Sequence, residues 1–141
     1  MSERRRDLGA LLYALTRVVI DAEVPVLRDH GVEMWDYAVL GGLEGGAAPT
    51  QSQLAVAVGR DKTRLIPILD RLEARGLLRR TPDPADRRNK VVALTSAGRD
   101  LLAACRASIR ALEDDLLAEL APAERAALLA TLERVAVSMD R

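Results

Sequence analysis

Apolar residues recur every three or four positions through most of the chain, and at two places the period shortens to two. Leu8, Leu11, Leu12, Leu15, Val18, Val19 and Ala22 fall on one helical face, which predicts a first helix from about Leu8 to His30. Pro25 bends or closes that helix, and Gly31 stops it. A second helix is predicted over Glu33 to Leu43, followed by a turn at "EGGAAP" (44–49). Thr50 and Gln53 have the spacing of a capping box at the head of "TQSQLAVAV", a short third helix that Gly59 ends. Asp61 caps a fourth helix, "KTRLIPILDRLEAR", closed by Gly76. There the period changes: "LLRRT" and "KVVAL" read as strands and "PDPADRR" as the turn between them. Thr95 caps a long helix from Ser96 to about Leu120. Pro122 opens the last helix, where Leu128, Leu129, Leu132, Val135, Ala136 and Met139 keep one face apolar to the end. Helix, tight turn with Gly, helix, hairpin, and long helices at both ends describe a mainly α (α+β) winged helix-turn-helix.

Composition narrows the chemistry more than the fold. The 141 residues suit a single domain, 1–141, and Tyr13, Trp35 and Tyr37 are the only aromatics in a chain whose apolar content is Leu, Ala and Val. One Cys and one His leave no internal disulfide, few arrangements for a nucleophile and its base, and no ordinary zinc ligand set. No cofactor is expected, and the enzyme reading is rejected. Cys105 stands four residues from both Leu101 and Ile109, a core spacing. The amino-terminal run imitates a signal peptide, but Arg17 interrupts it and no cleavage site follows, so a cytoplasmic protein is expected. No segment is long enough to span a bilayer.

Charge changes the picture further. The total is zero, yet residues 60–90 hold ten Lys and Arg against five Asp and Glu, between acidic ends. Such asymmetry points to a polyanionic partner. Wound at 3.6 residues per turn, the fourth helix turns Leu65, Ile68, Leu69 and Leu72 inward. Thr63, Pro67, Asp70 and Ala74 face the other way, flanked by Arg64, Arg71 and Arg75. The candidate DNA contacts are Arg60, Lys62, Thr63, Arg64, Pro67 and Arg71 on or before this helix. Gln51, Ser52 and Gln53 on the preceding helix join them as phosphate donors. Arg87, Arg88 and Lys90 are placed at the hairpin, whose tip Pro82 and Pro84 stiffen. Its arginines suit the negative potential of a minor groove. Asp61 and Asp86 are the carboxylates expected to hold an arginine in pose. A polar loop kept soluble by mixed charge is the alternative that the hairpin alone leaves open.

These residues resemble the multiple-antibiotic-resistance regulator (MarR) family of bacterial winged-helix transcription factors. The resemblance is strongest over "QSQLAVAVGRDKTRLIPILDRLEARGLLRRTPDPADRRNKVVALTSAG", where "DRR" before "VVALT" matches the wing signature with Asp86 and Arg88 as its Asp-x-Arg. It implies a homodimer joined by helices at 8–45 and 96–141, around a DNA-binding core at 50–95. It also implies recognition helices in successive major grooves of double-stranded DNA, wing arginines in minor grooves, and a small-molecule effector pocket. The function expected is a dimeric repressor released from a pseudo-palindromic operator. The competing reading is a winged-helix protein-docking module that does not bind DNA. Leu112, Leu116, Leu120, Leu128 and Leu132 are the expected dimer contacts, because one winged helix cannot cover them. Tyr13, Arg17 and Trp35 are the candidate effector pocket, with simple packing the other reading of Trp35. One departure stands out. Where family members often carry a polar pair such as Thr-Arg, this chain has Ile66-Pro67, and Pro67 offers a base only apolar contact.

Overall fold

The computed structural model describes residues 4–45 and 48–140. In chain order the elements are α1 (Leu8–Asp29), α2 (Met34–Gly42), α3 (Gln51–Val58), α4 (Lys62–Ala74), β1 (Leu78–Pro82), β2 (Lys90–Leu94), α5 (Ser96–Leu116) and α6 (Pro122–Met139). Every expected element is present. Two boundaries differ. α1 runs through Pro25 and ends at Asp29, so the proline does not close it. α5 stops at Leu116 rather than near Leu120. Pro122 holds Ala121 extended, and the preceding turn tightens through bonds from Ala118 N–H to Asp115 O and from Leu120 N–H to Leu117 O, so the α ladder cannot continue. Of the turn expected at 44–49, residues 46 and 47 lie outside the described residues.

Local chemistry fixes the ends of the two central helices. Thr50 Oγ1 accepts from Gln53 N–H while Gln53 Oε1 accepts from Thr50 N–H, the reciprocal capping box. Asp61 Oδ1 accepts from Arg64 N–H at 2.8 Å. Gly59 and Gly76 close α3 and α4 at φ of 70° and 75°. In both, the next N–H reaches back five residues, Arg60 to Ala55 O and Leu77 to Leu72 O. That left-handed closure disfavours any residue with a Cβ.

Residues up to Ile109 form one compact unit and those from Arg110 a second. In the first, Leu65, Leu69 and Leu72 of α4 are fully buried with Leu40, Leu54, Leu78 and Val92. β1 and β2 pair antiparallel, Leu78 opposite Leu94 and Pro82 opposite Lys90, and Val92 N–H adds a bond to Pro49 O. A smaller cluster joins Leu27, Val32, Cys105 and Ile109. Cys105 is buried there, and loss of solvent pushes its thiol pKa up, the state of a packing cysteine. The head of α5 presses on the end of α4. Gly98 N–H donates to Thr95 Oγ1, which itself donates to Gly76 O, and a Cβ on Gly98 would stand 1.9 Å from Leu77 O.

In the second unit Arg125 Nη1 donates to Asp114 Oδ1 at 2.5 Å. α6 buries no residue: Leu128, Leu129, Leu132 and Val135 are each about two-fifths exposed. Along α1, Leu8, Leu12, Leu15 and Val18 are exposed too. Among the described residues, no helix is long and apolar enough to cross a membrane.

Candidate nucleic-acid interface

α4 buries Leu65, Ile68, Leu69 and Leu72, and this forces Lys62, Thr63, Arg64, Pro67, Asp70, Arg71 and Arg75 outward. The apolar row therefore aims the polar one. At the helix start Lys62 and Thr63 are exposed, and Arg64 lies 3.6 Å from the Asp61 carboxylate. Further along, the arginines are already engaged. Arg71 pairs with Asp36 of α2, a carboxylate only 2% exposed that also accepts from Glu33 N–H. Arg75 Nη1 donates to Gly31 O at 2.9 Å. Arg71, an expected DNA contact, is half-exposed and anchored at Asp36, whose burial demands a cation,.

Arg80 ties the wing to α4. Its side chain, 12% exposed, donates to Glu73 Oε1 at 2.8 and 3.1 Å, to Asp70 Oδ1 at 2.6 Å and to Gln51 Oε1 at 3.3 Å. Its backbone N–H donates to Glu73 Oε2. The Arg80 backbone N–H, then the guanidinium, hold the Glu73 carboxyl below its ordinary value. Burial alone would pull the Arg80 pKa down, but the bonds to Glu73 and Asp70 outweigh it and raise it. Gln51, expected among the phosphate donors, is buried, and its carboxamide oxygen accepts from Arg80. The Gln53 carboxamide oxygen is taken by the capping box, while Ser52 is exposed.

Between the strands, the chain folds into a turn in which Asn89 N–H donates to Asp86 O, and Asp83 N–H to Asn89 O. Arg87 and Arg88 are its two central residues, both exposed. Asp86 Oδ1 accepts from Arg88 N–H at 3.1 Å, so it orients the wing through the backbone. Asp61, the other carboxylate expected to hold an arginine, lies away from the wing, where it caps α4 and faces Arg64. Lys90 is exposed at the start of β2.

Arg60 and Trp35, assigned to different sites by sequence, meet each other: the guanidinium lies 4.1 Å from the indole centroid. Tyr13 meets Arg17, at 5.9 Å. The three residues expected to form an effector pocket are thus brought into separate pairs. An open cavity of about 370 Å³ lies instead at the base of the wing, where Leu43 and Glu44 face Val92, Leu94, Arg99 and Leu102. Of the expected dimer contacts, Leu116, Leu128 and Leu132 are exposed and Leu112 and Leu120 half-buried. Sequence reasoning missed Arg79, an exposed cation on β1, although strand alternation sets it opposite in face to Arg80. Among the described residues no cluster of His, Cys, Asp and Glu can hold a metal.

A sequence profile of the MarR family matches residues 30–89, the segment carrying α2, the helix-turn-helix and the wing tip. The fold also matches the transcriptional repressor CouR in its complex with a 23-mer DNA duplex, with 30% identity, a TM-score of 0.81 and 92% of each chain covered. The chain belongs to the MarR family. CouR from Rhodococcus jostii RHA1 bound to p-coumaroyl-CoA is similar to this MarR-family chain at a TM-score of 0.77, with 96% of each chain covered and 30% identity. By sequence, the chain is 31% identical over 110 residues to a putative transcriptional regulatory protein for the hcr operon of Thauera aromatica. It is 32% identical over 109 residues to the HTH-type transcriptional repressor NicR of Pseudomonas putida. These matches cover 78% and 77% of the chain. The chain spans less than two thirds of either relative, 66% and 59% of their lengths.

Proposed function

We propose that this MarR-family chain is a cytoplasmic, homodimeric, sequence-specific DNA-binding repressor, released from a pseudo-palindromic operator by a small molecule. The observation that carries the reading is the pairing of two cationic edges: Lys62, Thr63 and Arg64 at the start of α4, and the Arg87-Arg88 turn at the wing tip, all exposed. A helix start of this kind meets phosphate and bases in a major groove. The wing arginines then meet the flanking minor groove. The exposed apolar rows of α1 and α6 support the dimer, since a lone chain would carry a large uncovered patch. The cavity beside β2 and α5 is of a size for a small molecule. Arg99 and Glu44 there supply the polar groups that would orient it.

Selection of duplexes from a random library should return an inverted repeat with half-sites about one helical turn apart. Affinity for it should fall steeply with salt. Arg88→Ala should weaken binding by about 1–3 kcal/mol and leave the fold intact. Lys62→Ala should weaken all sequences alike. Binding that ignores salt and survives Arg88→Ala in a dimeric protein would instead favour a protein-docking role for the wing.

A further inference from the structure

The exposed face of α4 changes character after its first turn. Thr63 is followed one turn later by Pro67, and then by Asp70, Arg71, Ala74 and Arg75, all exposed. Three of those four later polar or small positions carry a charge, and each charged side chain is already tied to another part of the protein. Asp70 Oδ1 holds Arg80 at 2.6 Å, Arg71 holds Asp36, and Arg75 holds Gly31 O at 2.9 Å. Releasing Arg71 toward DNA would leave the buried Asp36 carboxylate unpaired, which is strongly unfavourable. Pro67 has no N–H and no polar side-chain atom. A base pair lying under the middle of α4 therefore meets a pyrrolidine ring, with the neighbouring arginines anchored to the protein.

In the major groove, only one base presents an apolar group, the C5-methyl of thymine. We propose that Pro67 reads thymine by this methyl group, so that each half-site carries a T·A pair at the place where the middle of α4 meets the groove. Lys62, Thr63 and Arg64 then supply the polar reading on one side of that pair. The inference rests on the DNA-binding reading above and names a specificity determinant within it.

The methyl group can be removed without touching the protein. After an operator has been selected with the wild-type chain, each thymine is replaced in turn by deoxyuridine. Dissociation constants are then measured for the wild type and for Pro67→Ala, whose fold is checked by thermal melting. At one thymine per half-site, loss of the methyl should weaken the wild type about fourfold, the value of burying one such group, and about fifteenfold when both half-sites are changed. Pro67→Ala should bind the thymine and deoxyuridine duplexes nearly alike at that place. Equal methyl effects in the two proteins at every thymine would overturn the inference while leaving the DNA-binding reading standing. So would a consensus with no thymine under α4. Failure to select any operator would remove both.

Discussion

Replacing Arg80 by methionine keeps most of the apolar stem and removes the guanidinium that joins the wing to α4. Its two bonds to Glu73 lie at a side chain only 12% exposed, where a charged hydrogen bond contributes about 1.5–3 kcal/mol. Asp70 is 59% exposed, so that pair adds at most about 1 kcal/mol after solvent screening. The Arg80 backbone bond to Glu73 survives the change, so the expected loss is about 2–3 kcal/mol. For a domain of this size that lowers the melting temperature by roughly 5–10 °C at fixed protein concentration. The pH dependence carries the sign. The folded Glu73 pKa lies below its ordinary value of 4.5. Its contribution is therefore present above that value and is lost as pH falls through the lower folded one. The gap between wild type and Arg80→Met should be widest near pH 7 and narrow as pH drops from 5 toward 3. Differential scanning calorimetry across that range measures both quantities. A variant that melts with the wild type at pH 7, or a gap that does not change with pH, would refute the clamp.

Gly98→Ala should be among the most damaging single changes, costing about 3 kcal/mol or more, because its Cβ would meet the Leu77 carbonyl oxygen at 1.9 Å and backbone must shift to admit it. Urea unfolding reads this directly, with a fall in midpoint at unchanged slope. Arg71→Met and Asp36→Asn break the same ion pair with unequal cost. The first strands a carboxylate 2% exposed, for about 3–5 kcal/mol,. The second frees a half-exposed guanidinium into water and should cost about 1 kcal/mol. Combining them should recover stability relative to Arg71→Met alone, which a double-mutant cycle checks. Leu128→Glu with Leu132→Glu should shift the chain to a monomer in light scattering at micromolar concentration, since both side chains are already two-fifths exposed and cost little outside an interface.

Features set by near neighbours in sequence were the readable ones. The Thr50–Gln53 box, the Asp61 cap and the glycine closures depend on residues within five positions of one another, and the inward row of α4 follows from helical period alone. Pairings across the fold were not readable. Arg71 finds Asp36 from 35 positions away, and Arg60 finds Trp35. In sequence, a solvated arginine and one that neutralises a buried carboxylate look identical. The burial of Gln51 was hidden for the same reason: its partner Arg80 sits on a strand 29 positions later.

That sorting of cations bears on binding as well as on stability. Arg60, Arg71, Arg75 and Arg80 all contact other parts of the protein, and these contacts fix the pose of α4 relative to α2 and the wing. Lys62, Arg79, Arg87 and Arg88 have no side-chain partner among the described residues. This second group exchanges counterions for phosphate without giving up a partner, and the exposed Arg64 and Lys90 can join it at small cost. Two copies of these six cations give about twelve contacts, and at about 0.9 per phosphate the logarithm of affinity should fall against the logarithm of salt with a slope near −11. If all ten cations of residues 60–90 met DNA, the slope would approach −18 by the same relation. A titration between 50 and 200 mM salt separates the two by about four orders of magnitude in affinity. A slope far steeper than −11 would mean that the paired arginines leave their partners on binding, and that α4 is repositioned by DNA rather than held ready for it.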